Sequence, residues 1–453
     1  MTGTLGRHDS PTLRETATGT GVRAWLGLRY ACTNRRFSLP QPAGGRLEVQ
    51  RLAEVPVFPQ SPGRLAAFMG TGRDNPQSEN AHFLNVWAPE DADRLPVMVF
   101  IHGGAWMTGG GAQEWYDGAR LAARGIVVVT VNYRLGALGH LGDQSRIGLP
   151  LPAEDLIMAL QWVQEQIHRF GGDPGHITLV GQSAGGWYGH LLSVLPGTRG
   201  MIHQVAHLSM GTRAPWSQLH QQHVHQLATE AVGPQDPAEA PLSLLLSAGA
   251  QALQASRQTQ TRPPLSHAPA GYLPVQTPGL PETLLDPDWA ASAVHARAVF
   301  LRWTAEESAA FFWNSPQHLQ ATQDQVDADL GTWAVQDLPD RLVQGGRFTG
   351  ADSGLSPYRQ LVDASSWSQF QRFPSEFAQS LQAACVTTVV DPFVHASPLP
   401  HLHSAHCFDL PFQFGNAAAW QDAPMLRGVT EEEFERISED TMGALVAFIS
   451  QQH

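Results

Sequence analysis

The pentapeptide Gly181-Gln182-Ser183-Ala184-Gly185 contains the chain's best candidate for a nucleophile, the hydroxyl of Ser183. A serine can attack a carbonyl carbon when a sharp turn between a strand and a helix exposes it, and small neighbours relieve the crowding there. The start of the following helix also favours a developing negative charge. Because a Gly-x-Ser-x-Gly pattern alone is weak evidence, the surrounding segments have to supply the remaining parts of the site.

A second glycine-rich stretch, His102-Gly103-Gly104-Ala105, could provide hydrogen-bond donors for the negatively charged oxygen that forms when a serine attacks a carbonyl. Backbone N–H groups suit this task because they are rigid, and the loss of one such donor costs about 3–4 kcal/mol of activation free energy. Glycines let the backbone approach a substrate without interference from side chains. We therefore predict an oxyanion hole made by the N–H groups of Gly103, Gly104 and Ala184.

Strand-like and helix-like segments alternate around these two motifs. Short apolar runs at residues 97–101, 126–131 and 177–180 have the length of buried strands. Between the second and third runs, residues 154–170 repeat apolar side chains every three or four positions, which predicts a helix that Gly171 ends. This alternation predicts βαβ units around a largely parallel sheet.

The middle of the chain, about residues 217–298, is rich in alanine, glutamine, leucine and proline and has little strand signal. We interpret it as short helices that lie over the edge of the sheet and cap the active site. Near the end of the chain, Thr430 and Glu433 have the spacing of a capping box that begins a last helix. No internal repeat or linker divides the sequence, so we expect one domain over residues 1–453.

The charge balance excludes several classes of function. The net charge of −13 disfavours nucleic acids and anionic membranes as partners. All 28 basic residues are arginine, so the chain has no lysine for a Schiff base, a P-loop or a lysine general base. No apolar run is long enough for a transmembrane helix, and we expect no membrane span.

The chain has three cysteines, Cys32, Cys385 and Cys407. The odd number favours a reducing compartment over a framework of disulfides. Residues 1–14 are polar and lack the apolar stretch that is typical of a secretory signal. We therefore expect a cytoplasmic protein, while a secreted protein whose leader has been removed would present the same sequence.

Six segments in the first half of the chain, with further matches near residues 299–312 and 385–449, share the order and spacing of motifs in one protein family. They are Leu26-Gly27-Leu28-Arg29-Tyr30-Ala31, Phe83-Leu84-Asn85-Val86-Trp87-Ala88-Pro89, His102-Gly103-Gly104-Ala105-Trp106, Asn132-Tyr133-Arg134-Leu135-Gly136, Phe170-Gly171-Gly172-Asp173-Pro174 and Gly181-Gln182-Ser183-Ala184-Gly185-Gly186. On these segments the chain resembles the type-B carboxylesterases, the α/β-hydrolase family that includes cholinesterases and bacterial para-nitrobenzyl esterases. The resemblance implies an α/β fold of the α/β-hydrolase type: a mostly parallel twisted sheet with helices on both faces and a helical cap.

The resemblance also implies a catalytic triad in the order serine, acid, histidine. The family's histidine pattern fits residues 406–412, which makes His406 the general base. The acidic pair Glu306-Glu307 follows a strand-like segment, and the second member of such a pair is the family's catalytic acid. We therefore assign Glu307 as the acid and keep Glu306 as the alternative.

Three further residues lie near the predicted triad. Ser209 stands where the family has a serine that hydrogen-bonds the acid, although an ordinary hydroxyl at the end of a strand is nearly as good an explanation. Gln182, directly before the nucleophile, is a supporting residue. Ser308 replaces the glycine that the family has after the acid, which leaves the conformation of that loop open.

The residues and the resemblance together predict a serine carboxylesterase that forms an acyl-enzyme at Ser183 and needs no cofactor or metal. Two alternatives belong to other classes. An interaction protein with the same fold would have little or no activity. A metal-dependent hydrolase could use His401, His403 and His406, whose spacing resembles that of binuclear zinc sites, but Ala405 stands where those sites carry an acid.

The expected partner is a small-molecule ester, and the protein could be a monomer or a homodimer. Trp106, Trp187 and Tyr188 adjoin the two glycine-rich motifs and could line an apolar substrate pocket, while packing in the core explains them equally well. The sequence leaves the acyl chain and the alcohol of the substrate open.

Overall fold

A sheet of eight strands lies at the centre of a computed structural model that describes residues 21–44, 52–144, 147–258, 265–268 and 271–451. The strands are β1 (Val22–Arg29), β2 (Phe83–Pro89), β3 (Leu95–Ile101), β4 (Val127–Val131), β5 (Gly172–Gln182), β6 (Gln204–Leu208), β7 (Ala298–Arg302) and β8 (Thr387–Val390). They lie in the order β1-β2-β4-β3-β5-β6-β7-β8, with β2 antiparallel to both of its neighbours and all other neighbours parallel. The prediction of a mostly parallel sheet is confirmed.

Helices connect these strands. The longer α-helices are Leu151–Gln166, Ala184–Val194, Gln218–Val232, Leu242–Gln258, Gln323–Leu330, Pro357–Ser366, Arg372–Ala383 and Glu431–Ser450. Shorter ones are Ala66–Met69, Ala119–Ala122, Gly136–His140, Pro287–Ala293, Ala309–Phe312, Pro316–Leu319 and Leu410–Phe414. Within the described part of the chain, no helix is both long enough and apolar enough to cross a membrane. Trp367–Gln371 forms a turn of π-helix between two α-helices, a geometry that is frequent at functional sites.

Both faces of the sheet are covered, because its strands direct alternate side chains into two apolar clusters. In β3, for example, Val99 packs into one cluster and Phe100 into the other. The helices Leu151–Gln166 and Ala184–Val194 contribute to the first cluster, and Glu431–Ser450 contributes to the second. Strands buried on both faces are mainly apolar, which is the pattern that the sequence shows.

The predicted helices and strands are present, with shifted ends. The helix expected at residues 154–170 begins earlier, at Leu151, and its last four residues, Ile167–Phe170, form a 3-10 turn. Gly171 then has a φ of 81°, the left-handed conformation expected of a glycine that ends a helix. At the start of the last helix, Thr430 accepts a hydrogen bond from the N–H of Glu433, which is one half of the predicted capping box.

The described part of the region that the sequence suggests as a cap contains three α-helices and a non-helical stretch at residues 271–286. It contains Gln218–Val232, Leu242–Gln258 and Pro287–Ala293, and it ends where β7 begins. The side-chain amide of Gln221 donates to the backbone carbonyls of residues 140–142, so the first of these helices is fixed to the segment that follows β4.

Candidate active site

Ser183 lies at a strained turn between β5 and the helix Ala184–Val194. Its backbone has φ 55° and ψ −119°, a conformation that residues other than glycine rarely adopt. Glycines are required on both sides, because a Cβ on Gly181 would lie 2.4 Å from the Gly185 carbonyl oxygen and a Cβ on Gly185 would lie 2.1 Å from that of Ile101. The turn leaves the serine partly accessible to solvent, as a nucleophile requires.

The side chains of Ser183, His406 and Glu307 form one hydrogen-bonded row. Nε2 of His406 lies 2.8 Å from Oγ of Ser183, and Nδ1 of the same ring lies 2.5 Å from Oε2 of Glu307. Both His406 and Glu307 are buried. In such a row the imidazole can take the serine proton while the carboxylate holds the tautomer and orientation of the ring. The structure thus brings together the three residues that the sequence assigns to the triad.

The loop that follows β7 holds Glu307 in place and turns its neighbour away. Oε1 of Glu307 accepts a hydrogen bond from the N–H of Thr304 at 2.8 Å. The backbone carbonyl of Glu307 accepts another from the N–H of His406 at 3.1 Å, which ties the two loops together. Glu306 instead forms an ion pair with Arg359 at 3.0 Å, so the structure does not bring this alternative acid to His406.

The same loop does not need a glycine after the acid. Ser308 has φ −76° and ψ −8°, an ordinary helical conformation, and its N–H donates to Oγ of Ser366 at 2.9 Å. The side-chain amide of Gln371, in the π-helical turn, donates to the carbonyls of Thr304 and Ala305 at 2.9 and 3.1 Å. The π-helical segment therefore braces the loop that carries Glu307.

The charge of Glu307 determines how readily His406 accepts a proton. Burial alone would lower the pKa of His406, but Cys407 and the adjacent Glu307 carboxylate outweigh burial and raise it above its ordinary value. We attribute the direction mainly to Glu307, since a buried carboxylate at hydrogen-bond distance favours the imidazolium form. A raised pKa makes His406 a stronger base toward the serine hydroxyl.

The loop at residues 102–105 folds against the nucleophile. A Cβ on Gly103 would lie 2.9 Å from Cβ of Ser183, and a Cβ on Gly104 would lie 1.9 Å from the carbonyl oxygen of Thr108. Gly104 also has a φ of 119°, which strains any other residue. Among the described residues, the N–H groups of Gly103, Gly104 and Ala184 have no hydrogen-bond acceptor, so all three are available to an incoming oxygen.

The two residues predicted to support the triad, Ser209 and Gln182, differ in their hydrogen bonds. Within the described structure, the buried Oγ of Ser209 has no hydrogen-bond partner, so the bond to Glu307 that the resemblance implies is not formed. Ser209 is, as in the alternative interpretation, a hydroxyl just beyond the end of β6. The side-chain amide of Gln182 donates to Sγ of Cys407 at 3.4 Å, and thereby links the strand of the nucleophile to the loop of the histidine.

The structure places Trp187 and Tyr188, which the sequence suggests as possible pocket residues, in the core. Both have 0% exposure, and both belong to the apolar cluster beneath the helix Ala184–Val194. Trp106 is 5% exposed and packs edge-on against Trp187, with ring centroids 6.4 Å apart. For Trp187 and Tyr188, one turn into the helix, the side chains face the core rather than the exposed turn, which agrees with the core-packing interpretation.

Two phenylalanines that the sequence does not assign to the site flank the histidine ring. The centroids of Phe370 and Phe311 lie 4.8 and 5.8 Å from that of His406, and the two phenyl rings are parallel within 10°. Phe311 comes from the short helix after Glu307, whereas Phe370 comes from the π-helical turn. No motif surrounds Phe370, so its place beside the base follows only from the tertiary structure.

The three histidines of the proposed zinc cluster do not converge. Both ring nitrogens of His406 face other partners, Glu307 and Ser183. The rings of His401 and His403 lie against Tyr358, at 5.8 and 6.3 Å. Among the described residues, no group of three histidine, cysteine or acidic side chains is arranged to hold a metal ion. The geometry therefore does not favour the metal-dependent alternative.

Comparisons with known proteins agree with this geometry. The model of the carboxylesterase family matches residues 12–453. A probable N-octanoylanthranilate hydrolase of Rhodococcus erythropolis is 32% identical over 431 residues, which are 91% of this chain and 85% of that protein. A para-nitrobenzyl esterase of Bacillus subtilis (strain 168) is 39% identical over 198 residues, which are 41% of this chain and 39% of that esterase.

A solved structure of a PNB esterase has a TM-score of 0.76 and 26% sequence identity, and the match covers 96% of this chain and 88% of that one. Its likeness confirms the α/β-hydrolase fold. These matches do not favour an interaction protein or a metal-dependent hydrolase. The chain belongs to the carboxylesterase family, and it is a serine carboxylesterase.

Proposed function

We propose that Ser183, His406 and Glu307 are the catalytic triad with which this carboxylesterase cleaves its ester substrates. The observation that carries the proposal is the unbroken row of hydrogen bonds from Oγ of Ser183 through His406 to Glu307. A nucleophile, a base and an orienting acid at these distances are what acyl transfer to a serine needs.

Acylation begins when Nε2 of His406 takes the proton of the Ser183 hydroxyl while Oγ attacks the ester carbonyl. The carbonyl oxygen becomes negative in the tetrahedral intermediate, and the N–H groups of Gly103, Gly104 and Ala184 donate to it. Breakdown of this intermediate breaks the carbon–oxygen bond to the alcohol, and the imidazolium of His406 returns its proton to that oxygen.

Deacylation repeats these steps with water as the nucleophile. His406 takes a proton from water, the hydroxide attacks the acyl carbon, and the same three N–H groups stabilise the second oxyanion. The bond to Oγ of Ser183 then breaks, the serine regains a proton from His406, and the carboxylic acid leaves. Each cycle consumes one water and restores the enzyme, so these residues need no cofactor.

The proposed cap, within one domain, forms part of the route to the serine. A Cβ on Gly271 would lie 2.1 Å from Sδ of Met107, so this segment packs against the oxyanion loop. Phe311 and Phe370 supply an apolar surface beside His406. We infer a small-molecule ester that enters between the cap segment and these two rings.

We also infer that the protein works in a reducing compartment such as the cytoplasm. Cys32, Cys385 and Cys407 are all free thiols, and Cys385 is exposed. Free exposed thiols are typical of proteins that glutathione and thioredoxin keep reduced.

One experiment tests the triad directly. The purified protein should hydrolyse 4-nitrophenyl acetate and react with a fluorophosphonate probe, and Ser183→Ala should abolish both while remaining folded. Ser450→Ala changes an exposed serine at the end of the last helix and serves as the control. Labelling that persists in Ser183→Ala, or hydrolysis that a chelator abolishes, would overturn the proposal.

A further inference from the structure

Arg213 is a largely buried cation whose partners carry no charge. Its backbone carbonyl accepts a hydrogen bond from the indole of Trp187 at 3.1 Å, which places the residue directly above the helix of the nucleophile. Its guanidinium donates through Nη2 to the carbonyl oxygen of Ala268 and to the side-chain oxygen of Gln369. Among the described residues, no acid forms an ion pair with it.

A guanidinium has five N–H donors, and the contacts of Arg213 use only those on Nη2. An acid in this neighbourhood, Asp329, is held by the N–H and hydroxyl of Ser266 at 2.9 and 3.0 Å and makes no ion pair with Arg213. The N–H groups on Nε and Nη1 have no acceptor among the described residues, so they are available to donate to a carboxylate.

A second arginine, Arg64, lies between Arg213 and the loop that carries the oxyanion glycines Gly103 and Gly104. A Cβ on the preceding Gly63 would contact Oγ1 of Thr108, 3.5 Å away, in the segment that follows the oxyanion glycines. The Arg64 guanidinium lies 6.0 Å from the centre of the Phe311 ring, the same ring that flanks His406. Arg64 keeps exposed surface although protein atoms crowd its guanidinium, and within the described structure it forms no ion pair with an acid.

The pKa values of both arginines are shifted in the direction expected of cations that form no ion pair. Burial lowers the pKa of Arg213 to about 10, and the positive charge of Arg64 acts in the same direction. Burial also lowers the pKa of Arg64, with a further contribution from Arg257. The chain as a whole carries a net charge of −13, so the repulsion between Arg64 and Arg213 is a local exception. An anion bound between them would relieve the repulsion.

We propose that Arg213, with Arg64, binds a carboxylate on the substrate, and that the enzyme therefore prefers esters with a free carboxylate to neutral esters of the same skeleton. The inference rests on the proposed function, since it describes what the same active site selects. Arg213 and Arg64 are specificity residues in this scheme: they hold the substrate, and the triad performs the reaction on the bound ester.

The test compares pairs of substrates with the same carbon skeleton, in which one member carries a carboxylate and the other carries a neutral group. On the acyl side, these are the mono-4-nitrophenyl ester of glutaric acid and 4-nitrophenyl pentanoate. On the alcohol side, they are 4-acetoxybenzoate and 4-acetoxybenzamide. The wild type should have a kcat/KM about tenfold or more higher for the anionic member of at least one pair, mainly through a lower KM. The pair that shows the preference identifies the side of the ester that carries the carboxylate.

Arg213→Gln and Arg64→Gln should each remove most of this preference by raising KM for the anionic ester, with kcat and the neutral ester little changed. Arg213→Lys should keep part of it, because lysine retains the positive charge but loses the separately directed N–H groups of the guanidinium. Arg436→Gln, at an exposed site on the last helix, is the matched control and should keep the full preference. Arg64 is exposed, so its variant should fold even if Arg213→Gln does not.

Two results would overturn the inference. One is equal kcat/KM for the charged and neutral members of both pairs in the wild type. The other is an equal loss on charged and neutral esters in Arg64→Gln, because a merely structural role does not distinguish charge. In either case, hydrolysis of the neutral esters that depends on Ser183 would leave the proposed function intact, so the two failures can be told apart.

Discussion

Glu306 and Glu307 are neighbours in the chain, yet their carboxylates lie in opposite surroundings. That of Glu307 is fully buried against His406, whereas that of Glu306 reaches outward to an ion pair with Arg359. The next residue, Ser308, has a helical backbone conformation and precedes the short helix Ala309–Phe312. The two adjacent acids thus have separate roles. Glu307 orients the histidine of the triad, and Glu306 forms an ion pair at the outer side of the loop.

The pair provides its own control. Glu307→Gln should reduce kcat by about 10⁴-fold, because an amide cannot hold the required tautomer or stabilise the imidazolium. Glu306→Gln loses a partly exposed ion pair but keeps an oxygen that can accept from the N–H of Ser404, so it should stay within about threefold of the wild type. Steady-state kinetics on one neutral activated ester compare the two variants. A larger loss in Glu306→Gln than in Glu307→Gln would mean that the acid has been assigned to the wrong residue.

Ser183 and His406 should act as one unit. Because neither residue accelerates acyl transfer without the other, Ser183→Ala, His406→Ala and the double variant should all lose about 10⁶-fold in kcat. Single-turnover and steady-state rates on 4-nitrophenyl acetate measure the three losses. His168→Ala, at an exposed histidine in the turn before Gly171, controls for the loss of an imidazole. Losses that multiply in the double variant would contradict a shared mechanism.

Gly104 should tolerate no side chain. Gly104→Ala would place a methyl group 1.9 Å from the Thr108 carbonyl at a φ of 119°, which must displace the oxyanion loop. We expect kcat to fall by about 10²–10³-fold, the effect of one lost donor. Gly125→Ala is the control, since Gly125 also has a positive φ, 88°, but open space around it. A comparable loss in both variants would show that backbone strain, and not the oxyanion hole, is responsible.

Buried neutral histidines should make the fold sensitive to acid. Burial lowers the pKa of His102, His140 and His190 to about 4 in each case. Between about pH 6.5 and pH 4 the unfolded chain gains these protons and the folded chain does not, so stability is complete above pH 6.5 and falls as the pH drops. Each such histidine accounts for about 3 kcal/mol by pH 4.

Denaturant titrations from pH 7.5 to pH 4.5 measure this dependence as a change in the free energy of unfolding. His190→Gln should reduce the slope by about one proton near pH 5, because one titrating group is removed. His168→Gln, at an exposed site, should leave the slope unchanged. A slope that His190→Gln does not alter would show that this histidine is not neutral in the folded state.

The turn that carries Ser183 could be predicted from sequence because its requirements are local. Small residues are required at fixed positions relative to the serine. A side chain at Gly181 or Gly185 would clash with a backbone carbonyl oxygen. The strands around this turn could also be predicted from sequence, since a sheet buried on both faces requires short apolar runs in the chain. Glu307 and His406 needed the family resemblance, because nothing local distinguishes one acid among 41 or one histidine among 20.

Other features depend on contacts between distant segments. Adjacency in sequence placed Trp187 and Tyr188 near the nucleophile, but the helical rotation directs both into the core. Phe370 contacts the ring of His406 from a π-helical turn, and no sequence pattern predicts that turn. Arg213 is one of 28 arginines in the chain, and its unpaired charge appears only when the folded neighbourhood is known.

The left-handed backbone at Ser183 has a consequence for attempts to engineer this protein. A non-glycine residue at φ 55° and ψ −119° stores about 1–3 kcal/mol of strain. Ser183→Gly would release much of that strain and also abolish the nucleophile, so a screen for heat resistance alone would reward an inert protein. Selection for thermal stability must therefore include an assay of activity, because the backbone conformation that makes Ser183 a nucleophile also lowers the stability of the fold.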